Sequence, residues 1–280
     1  MALSPKNRFR SPSGLSLIEV LVVLVILLMV MALMVPAVGS LRRDQEVTRA
    51  VYEVAGLLEE ARSYAMANST FVWVGFYEED GGGASRDPAE TGNGGRIVIS
   101  VVASRDGTRY PDTPVDEHTP AAFGAGDASN PVHLVPVYRL VKLDHVRMLA
   151  NTAGSAALPS RPAVAREYQV GDEPGVAPRN ATGPFAIPRG NPTNPATFSY
   201  PLEAPAPQYV FSKIIEFNSR GEASKILENV FTGPGPQETM EIALAPARDG
   251  VVEPAFIAGG KAYAVVQVEG LTGQVRVYHL

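Results

Sequence analysis

The hydrophobic pattern changes character twice along the first quarter of the chain. From Val20 to Val38 all 19 residues are apolar, which at about 1.5 Å of rise per residue gives roughly 28 Å, enough for one helical crossing of a bilayer. Past Gly39-Ser40 the apolar positions thin to Val47, Val51, Val54, Leu58, Ala61 and Ala65, spaced alternately four and three apart. That spacing draws one stripe along a helix. The other face carries Arg42, Arg43, Asp44, Glu46, Arg49, Glu53, Glu59, Glu60 and Arg62. The pattern predicts an amphipathic helix to about Asn68 that lies on its own domain, because the stripe covers too few heptads for a coiled coil and contains Gly56.

β-branched and aromatic runs follow. Phe71 to Tyr77 and Arg96 to Val102 read as neighbouring strands joined by the glycine runs Gly81-Gly82-Gly83 and Gly92-Asn93-Gly94-Gly95. Val135 to Leu143 reads as a third strand, and Pro136 near its start suits a strand start or an edge. From Pro111 to Pro207 the chain holds 16 of its 24 prolines, so that stretch reads as a mostly irregular surface excursion, an insertion over about 103–207. Tyr209 to Phe217 reads as one strand ending in the turn Asn218-Ser219-Arg220-Gly221. Glu241 to Ala245 is a further strand, and Ala262 to Val268 with Gln274 to Tyr278 form a closing hairpin around Gly270-Leu271-Thr272-Gly273.

The start of the chain adds charge to this picture. Lys6, Arg8 and Arg10 precede the apolar run with no acid among them, which orients the N-terminus to the cytoplasmic side and the bulk of the chain across the membrane. A secretory signal would end in a small-residue cleavage site, and Pro36-Ala37-Val38-Gly39-Ser40 is a poor one. Glu19 stands at the beginning of the apolar run. A carboxylate there must be paired, protonated or reach water, so it either docks a cation or snorkels to the interface one turn from the helix start. Pro36 would remove one backbone hydrogen bond and kink the helix near the membrane exit.

The string Ser13-Gly14-Leu15-Ser16-Leu17-Ile18-Glu19-Val20, after a short basic leader and before an apolar helix, resembles the cleavage and methylation site of type IV pilins and type II secretion pseudopilins. The resemblance implies that prepilin peptidase cuts after Gly14 and methylates the new terminus at Leu15, a position where the family most often has Phe. Glu19 lies five residues past the cut and Pro36 twenty-two past it, where this family carries an acid and often a proline. It implies that Glu19 meets the terminal amine of the adjoining subunit during assembly. The Ile-Glu-Phe strand, polar turn and terminal hairpin are similar to minor pseudopilin H and FimT-like proteins. The fold so implied is α+β and pilin-like, a long N-terminal helix with a transmembrane half and an amphipathic half packed on a C-terminal antiparallel β-sheet domain. The expected divisions are a leader over 1–14, the long helix over 15–68 with its membrane span at about 17–38, and a periplasmic β-rich domain over 69–280. The partners implied are other pilins or pseudopilins in a filament, prepilin peptidase and the inner-membrane assembly platform, with a cytoplasmic ATPase as the motor. The function implied is a minor subunit aiding protein secretion, the alternatives being a minor type IV pilin in adhesion or DNA uptake and an anchored periplasmic binding or enzymatic domain.

Composition limits the rest. With no cysteine, disulfides and thiol chemistry are excluded. A net charge of −5 without a basic block disfavours nucleic acid as the main partner, and Arg248, Lys261, Arg276 and His279 are scattered. His118, His133, His145 and His279 show no metal-ligand spacing. Glu78, Glu79 and Asp80 lack the alternating acids of an EF-hand and read as a solvated loop, and the glycine runs match neither a P-loop nor a dinucleotide fingerprint. No nucleophile elbow is present. The sequence thus offers no catalytic residue, metal site or cofactor, and its candidate sites are Gly14 and Leu15 for processing, Glu19 for assembly and Pro36 for helix geometry.

Overall fold

The computed structural model of the chain describes residues 16–107, 109, 122–123, 134–150, 161–173, 175–180, 197–202, 204, 206–225, 239–248, 251–252 and 264–279, the side chains of 32–44, 122–123, 167, 248 and 279 excepted. One helix, α1, covers Leu17–Ala67. The chain divides into two compact units, Met1–Arg42 and Arg43–Leu280. The kink expected at Pro36 and the leader over 1–14 lie outside the described residues.

In the second unit the predicted stripe is the buried side of α1. Val47, Val51, Val54, Leu58, Ala61 and Ala65 are all shut off from solvent, and each of the larger four contributes about 1.5–3 kcal/mol of burial. They share one core with two antiparallel sheets. The fold is α+β, a helix packed on antiparallel sheets in a pilin-like arrangement.

The first sheet is built on β1 (Val72–Asp80) and β2 (Gly95–Ser104), paired from Val72 opposite Ala103 to Asp80 opposite Gly95. The two small strands β4 (Leu134–Pro136) and β5 (Val141–Asp144) both line the far edge of β2. On the other side, β9 (Lys213–Phe217) pairs with β1 and β10 (Ala223–Lys225) with β9. The second sheet centres on β11 (Thr239–Arg248), flanked by β13 (Ala264–Glu269) and β6 (Val146–Leu149), with β14 (Val275–His279) beyond β13 and β12 (Val251–Val252) at the end of β11. A third, small sheet joins β3 (Ala122–Phe123), β7 (Thr197–Tyr200) and β8 (Tyr209–Phe211).

Strand parity sorts the side chains. Val72, Val74 and Phe76 face the helix, while Trp73 and Tyr77 point the other way into an aromatic cluster with Phe198, Tyr209 and Phe211. Gly75 admits that cluster, because a Cβ there would stand 2.5 Å from Phe198 Cζ and 2.8 Å from Phe211 Cβ.

Three expectations need correction. The strand expected over Val135–Leu143 is two strands on one edge, broken at residues 137–140, and Pro136 closes the first of them. The strand expected over Tyr209–Phe217 divides at Ser212 and serves two sheets, its first part closing over the aromatic cluster. The insertion is not only a surface excursion. Residues 161–180 are drawn into the fold by isolated bridges from Gln169 to Glu241 and from Asp172 to Leu149. Gly171 permits the second contact, since a Cβ on it would lie 2.3 Å from the backbone carbon of Leu149. Within the insertion, residues 108, 110–121, 124–133, 151–160, 174, 181–196, 203 and 205 lie outside the described residues, as does Lys261.

Candidate assembly site at the start of the helix

The first described residues form a closed hydrogen-bond box. Ser16 precedes the helix, and its Oγ accepts from the Glu19 backbone N–H at 3.3 Å. Glu19 Oε2 in return accepts from the Ser16 backbone N–H at 2.9 Å. This reciprocal pair is a capping box, which satisfies donors that the first helical turn leaves without partners. Glu19 therefore has a local role that the sequence reading did not assign to it. The signal was present, for Ser-x-x-Glu ahead of an apolar run is the signature of such a start. Gly14 and Leu15 lie outside the described residues.

From Leu17 to Met31 every large apolar side chain is 42–85 % exposed. A run of that kind is a surface awaiting a cover. Among the described residues no helix is long and apolar enough to cross a membrane, and the part of the expected 17–38 span beyond Met31 lies outside the side chains described.

The globular unit holds several of its charges inside. Glu78 and Glu79, expected in a solvated loop, are buried at the end of β1. Beyond Phe76 the strand has no β9 partner, so its backbone is satisfied otherwise: the Asn180 side chain accepts from the Glu78 N–H at 2.9 Å and donates to the Glu78 carbonyl at 2.8 Å. Glu78 Oε1 accepts from the Met148 N–H at 2.6 Å and lies 3.7 Å from Arg147 Nε. Burial raises the Glu78 pKa against the pull of Lys213 and Arg147. Glu79 accepts from Arg96 at 3.1 Å and from the Tyr209 hydroxyl at 2.8 Å. Asp172, reached from the insertion, meets Lys213 Nζ at 2.6 Å with both side chains fully buried. Glu216 accepts from Trp73 Nε1 and from Arg109 Nε, each at 2.8 Å, and burial raises its pKa. Glu241 is paired with Arg161 and Gln267, and burial raises its pKa too.

These groups are internal braces between segments distant in sequence. The sequence reading missed Asp172, Lys213, Arg147 and Arg161 because polar residues in irregular or short segments carry no periodic signal. Among the described residues no group of three or more His, Asp or Glu side chains is placed to hold a metal. His145 occupies the tight turn between β5 and β6 with a left-handed φ of 62°. His118 and His133 lie outside the described residues, as does the His279 side chain. Arg276 is exposed and bonded to Gln274.

The profile described as the prokaryotic N-terminal methylation motif matches residues 10–35. That segment contains Gly14, Leu15, the capping box and the whole exposed apolar run from Leu17 to Met31. It is the motif by which pilins and pseudopilins are marked for prepilin peptidase, and it supports an N-terminal helix that anchors the chain in the inner membrane before assembly. No curated protein and no solved structure matches the chain.

Proposed function

We propose that the chain is a minor pseudopilin or pilin-like structural subunit, processed by prepilin peptidase and assembled through its N-terminal helix into a type II secretion pseudopilus or a type IV pilus. The observation that carries this reading is the methylation motif over residues 10–35, which runs directly into a capped helix whose apolar side chains are uncovered. Before assembly the lipid covers them, with the N-terminus cytoplasmic and the globular unit periplasmic. In the filament, the same surface is covered by neighbouring helices. No solvent-exposed catalytic constellation is needed for this work, which is mechanical.

Cleavage after Gly14 gives Leu15 a positive α-amine. Glu19 is then the anion within reach of the corresponding amine on a neighbouring subunit, and a charge pair formed away from water has strong directional preference. The Ser16 N–H survives cleavage as an amide, so Glu19 keeps its capping bond through Oε2 and has a second oxygen left for a partner. One carboxylate thus closes its own helix and offers an oxygen to the next.

The test is the intact mass of membrane-extracted protein, expressed with and without the cognate peptidase and beside Gly14→Val. A chain beginning at Leu15 with one added methyl, seen only with the peptidase and native Gly14, supports the reading. A retained leader in every sample would leave an ordinary anchored domain and end the filament mechanism.

A further inference from the structure

Two cations share one buried carboxylate in the docked insertion. Asp172 accepts from Lys213 Nζ at 2.6 Å, from the Arg179 backbone N–H at 2.9 Å and from Arg179 Nε at 3.2 Å. Lys213 and Asp172 are both fully buried and cancel one another inside the core. Glu78 is answered by its own cation, Arg147, at 3.7 Å. The positive charge left over is that of Arg179. Its side chain is 40 % exposed, and among the described residues Asp172 is its only ion-pair partner. The bonds to Asp172 occupy its backbone and Nε, which leaves the terminal guanidinium nitrogens as donors for an anion.

Arg179 lines a cleft of about 500 Å³ whose other walls are apolar, with Pro88, Pro178, Pro207 and Val210 around Tyr77. Val210 is 43 % exposed there despite its size. The three segments that form the walls are fixed to one another and to the sheet. The Ala89 N–H donates to the Gln208 carbonyl at 3.1 Å, and Gln208 Nε2 donates to the Arg86 carbonyl at 2.7 Å. The Asn180 side chain, next to Arg179, is committed to the Glu78 backbone. The cleft is therefore formed before anything enters it, as binding sites usually are.

We propose that this cleft binds an extended segment of a partner protein in which an acidic side chain is flanked by apolar residues. The carboxylate meets Arg179, and the flanking residues lie on the proline rings and Val210. Charge selects the acid. An uncharged segment leaves the surplus of Arg179 unanswered, whereas a carboxylate takes charge-assisted bonds from a guanidinium that Asp172 already holds in place, so little side-chain freedom remains to be lost on binding. Volume selects the flanks. A carboxylate alone fills a small part of about 500 Å³, and the proline walls offer apolar area but no backbone N–H of their own. This reading concerns the globular unit and is independent of leader cleavage and of assembly through the N-terminal helix.

The test is fluorescence anisotropy of a labelled peptide amide, Leu-Pro-Glu-Pro-Leu, titrated with the full chain in detergent against a blank of empty micelles. The same peptide with Gln for Glu, and octanoate as a competitor, complete the set. The Glu peptide should bind, and the Gln peptide should bind about tenfold more weakly, the loss expected for one charge-assisted contact. Arg179→Gln should reduce the Glu peptide to the level of the Gln peptide, since Asp172 keeps Lys213 and the backbone N–H of residue 179. Val210→Glu puts an acid on an exposed strand position inside the cleft and should abolish binding; it decides the matter, with the two peptides on the wild-type chain, if Arg179→Gln does not fold. No binding of the Glu peptide up to about 5 mM overturns the proposal. So does equal binding of the two peptides, or binding that Val210→Glu leaves unchanged. Octanoate that binds more tightly than the Glu peptide and displaces it would make this a fatty-acid site and overturn the proposal as well.

Discussion

Replacing Gly171 by alanine tests whether the insertion is part of the fold. The added Cβ would stand 2.3 Å from the carbonyl carbon of Leu149, 2.5 Å from its nitrogen and 2.5 Å from its oxygen. Leu149 cannot retreat, because it is laddered to Ala243 in the second sheet. The insertion has two ways to respond. It can stay docked and strained, at an overpacking cost of about 1–3 kcal/mol. It can also lift away, which separates Asp172 from Lys213 and strands a buried charge at about 3–5 kcal/mol. Strain is the smaller loss, so Gly171→Ala should lower stability by about 1–3 kcal/mol while the segment remains in place. Trp73, the only tryptophan, is fully buried beside Glu216 and reports global unfolding by its emission. Urea titration of the detergent-solubilised chain gives the difference, with Gly83→Ala as control, since a Cβ there meets nothing within 4 Å. A Gly171→Ala protein within about 0.5 kcal/mol of wild type would refute the reasoning, for a contact that tolerates such a clash is not a docked one.

Two further outcomes follow from the capping box and the buried acids. Ser16→Ala should cost the helix start about 0.5–2 kcal/mol, seen as faster amide exchange in its first turn, yet leave filament incorporation near wild type; Glu19→Gln should leave cleavage intact and lower incorporation, and equal incorporation by both variants would remove Glu19 from docking. Glu78, Glu216 and Glu241 are raised above the ordinary value of 4.5 by burial, so the folded state holds their protons more tightly than the unfolded one. Their contribution is therefore fully present below pH 4.5 and is lost as pH rises through the elevated values. The urea midpoint should fall as pH is raised above that point, less steeply in Glu78→Gln, and an unchanged slope in that variant would show that Glu78 does not titrate with folding.

What the sequence made legible follows from how each signal is written. The stripe from Val47 to Ala65 is a repeat over nineteen residues, and the helix buries those positions because no other period fits them. The β1–β2 pair and the terminal hairpin were legible in another way, as β-branched and aromatic runs bounded by glycine. The strand over Tyr209–Phe217 was misread because β-branched composition does not say where a chain changes sheets. Ser212 marks the change, with its hydroxyl bonded to the Asn180 carbonyl, a long-range fact with no local trace. The buried charges are the instructive case. Glu78 falls in step with Val72, Val74 and Phe76, and Lys213 with Ile215 and Phe217. Parity alone therefore assigns both to the core face, and a charge on that face must have a partner. Reading Glu78-Glu79-Asp80 as a solvated loop gave composition precedence over register. Had the strand been continued to Asp80 at its own period, Glu78 would have demanded a buried cation, which the structure supplies as Arg147 on β6, and Lys213 would likewise have demanded a buried acid, which is Asp172. Asp172 was beyond reach by any such rule, because it arrives from a proline-rich stretch whose only local sign of close approach is Gly171 beside it.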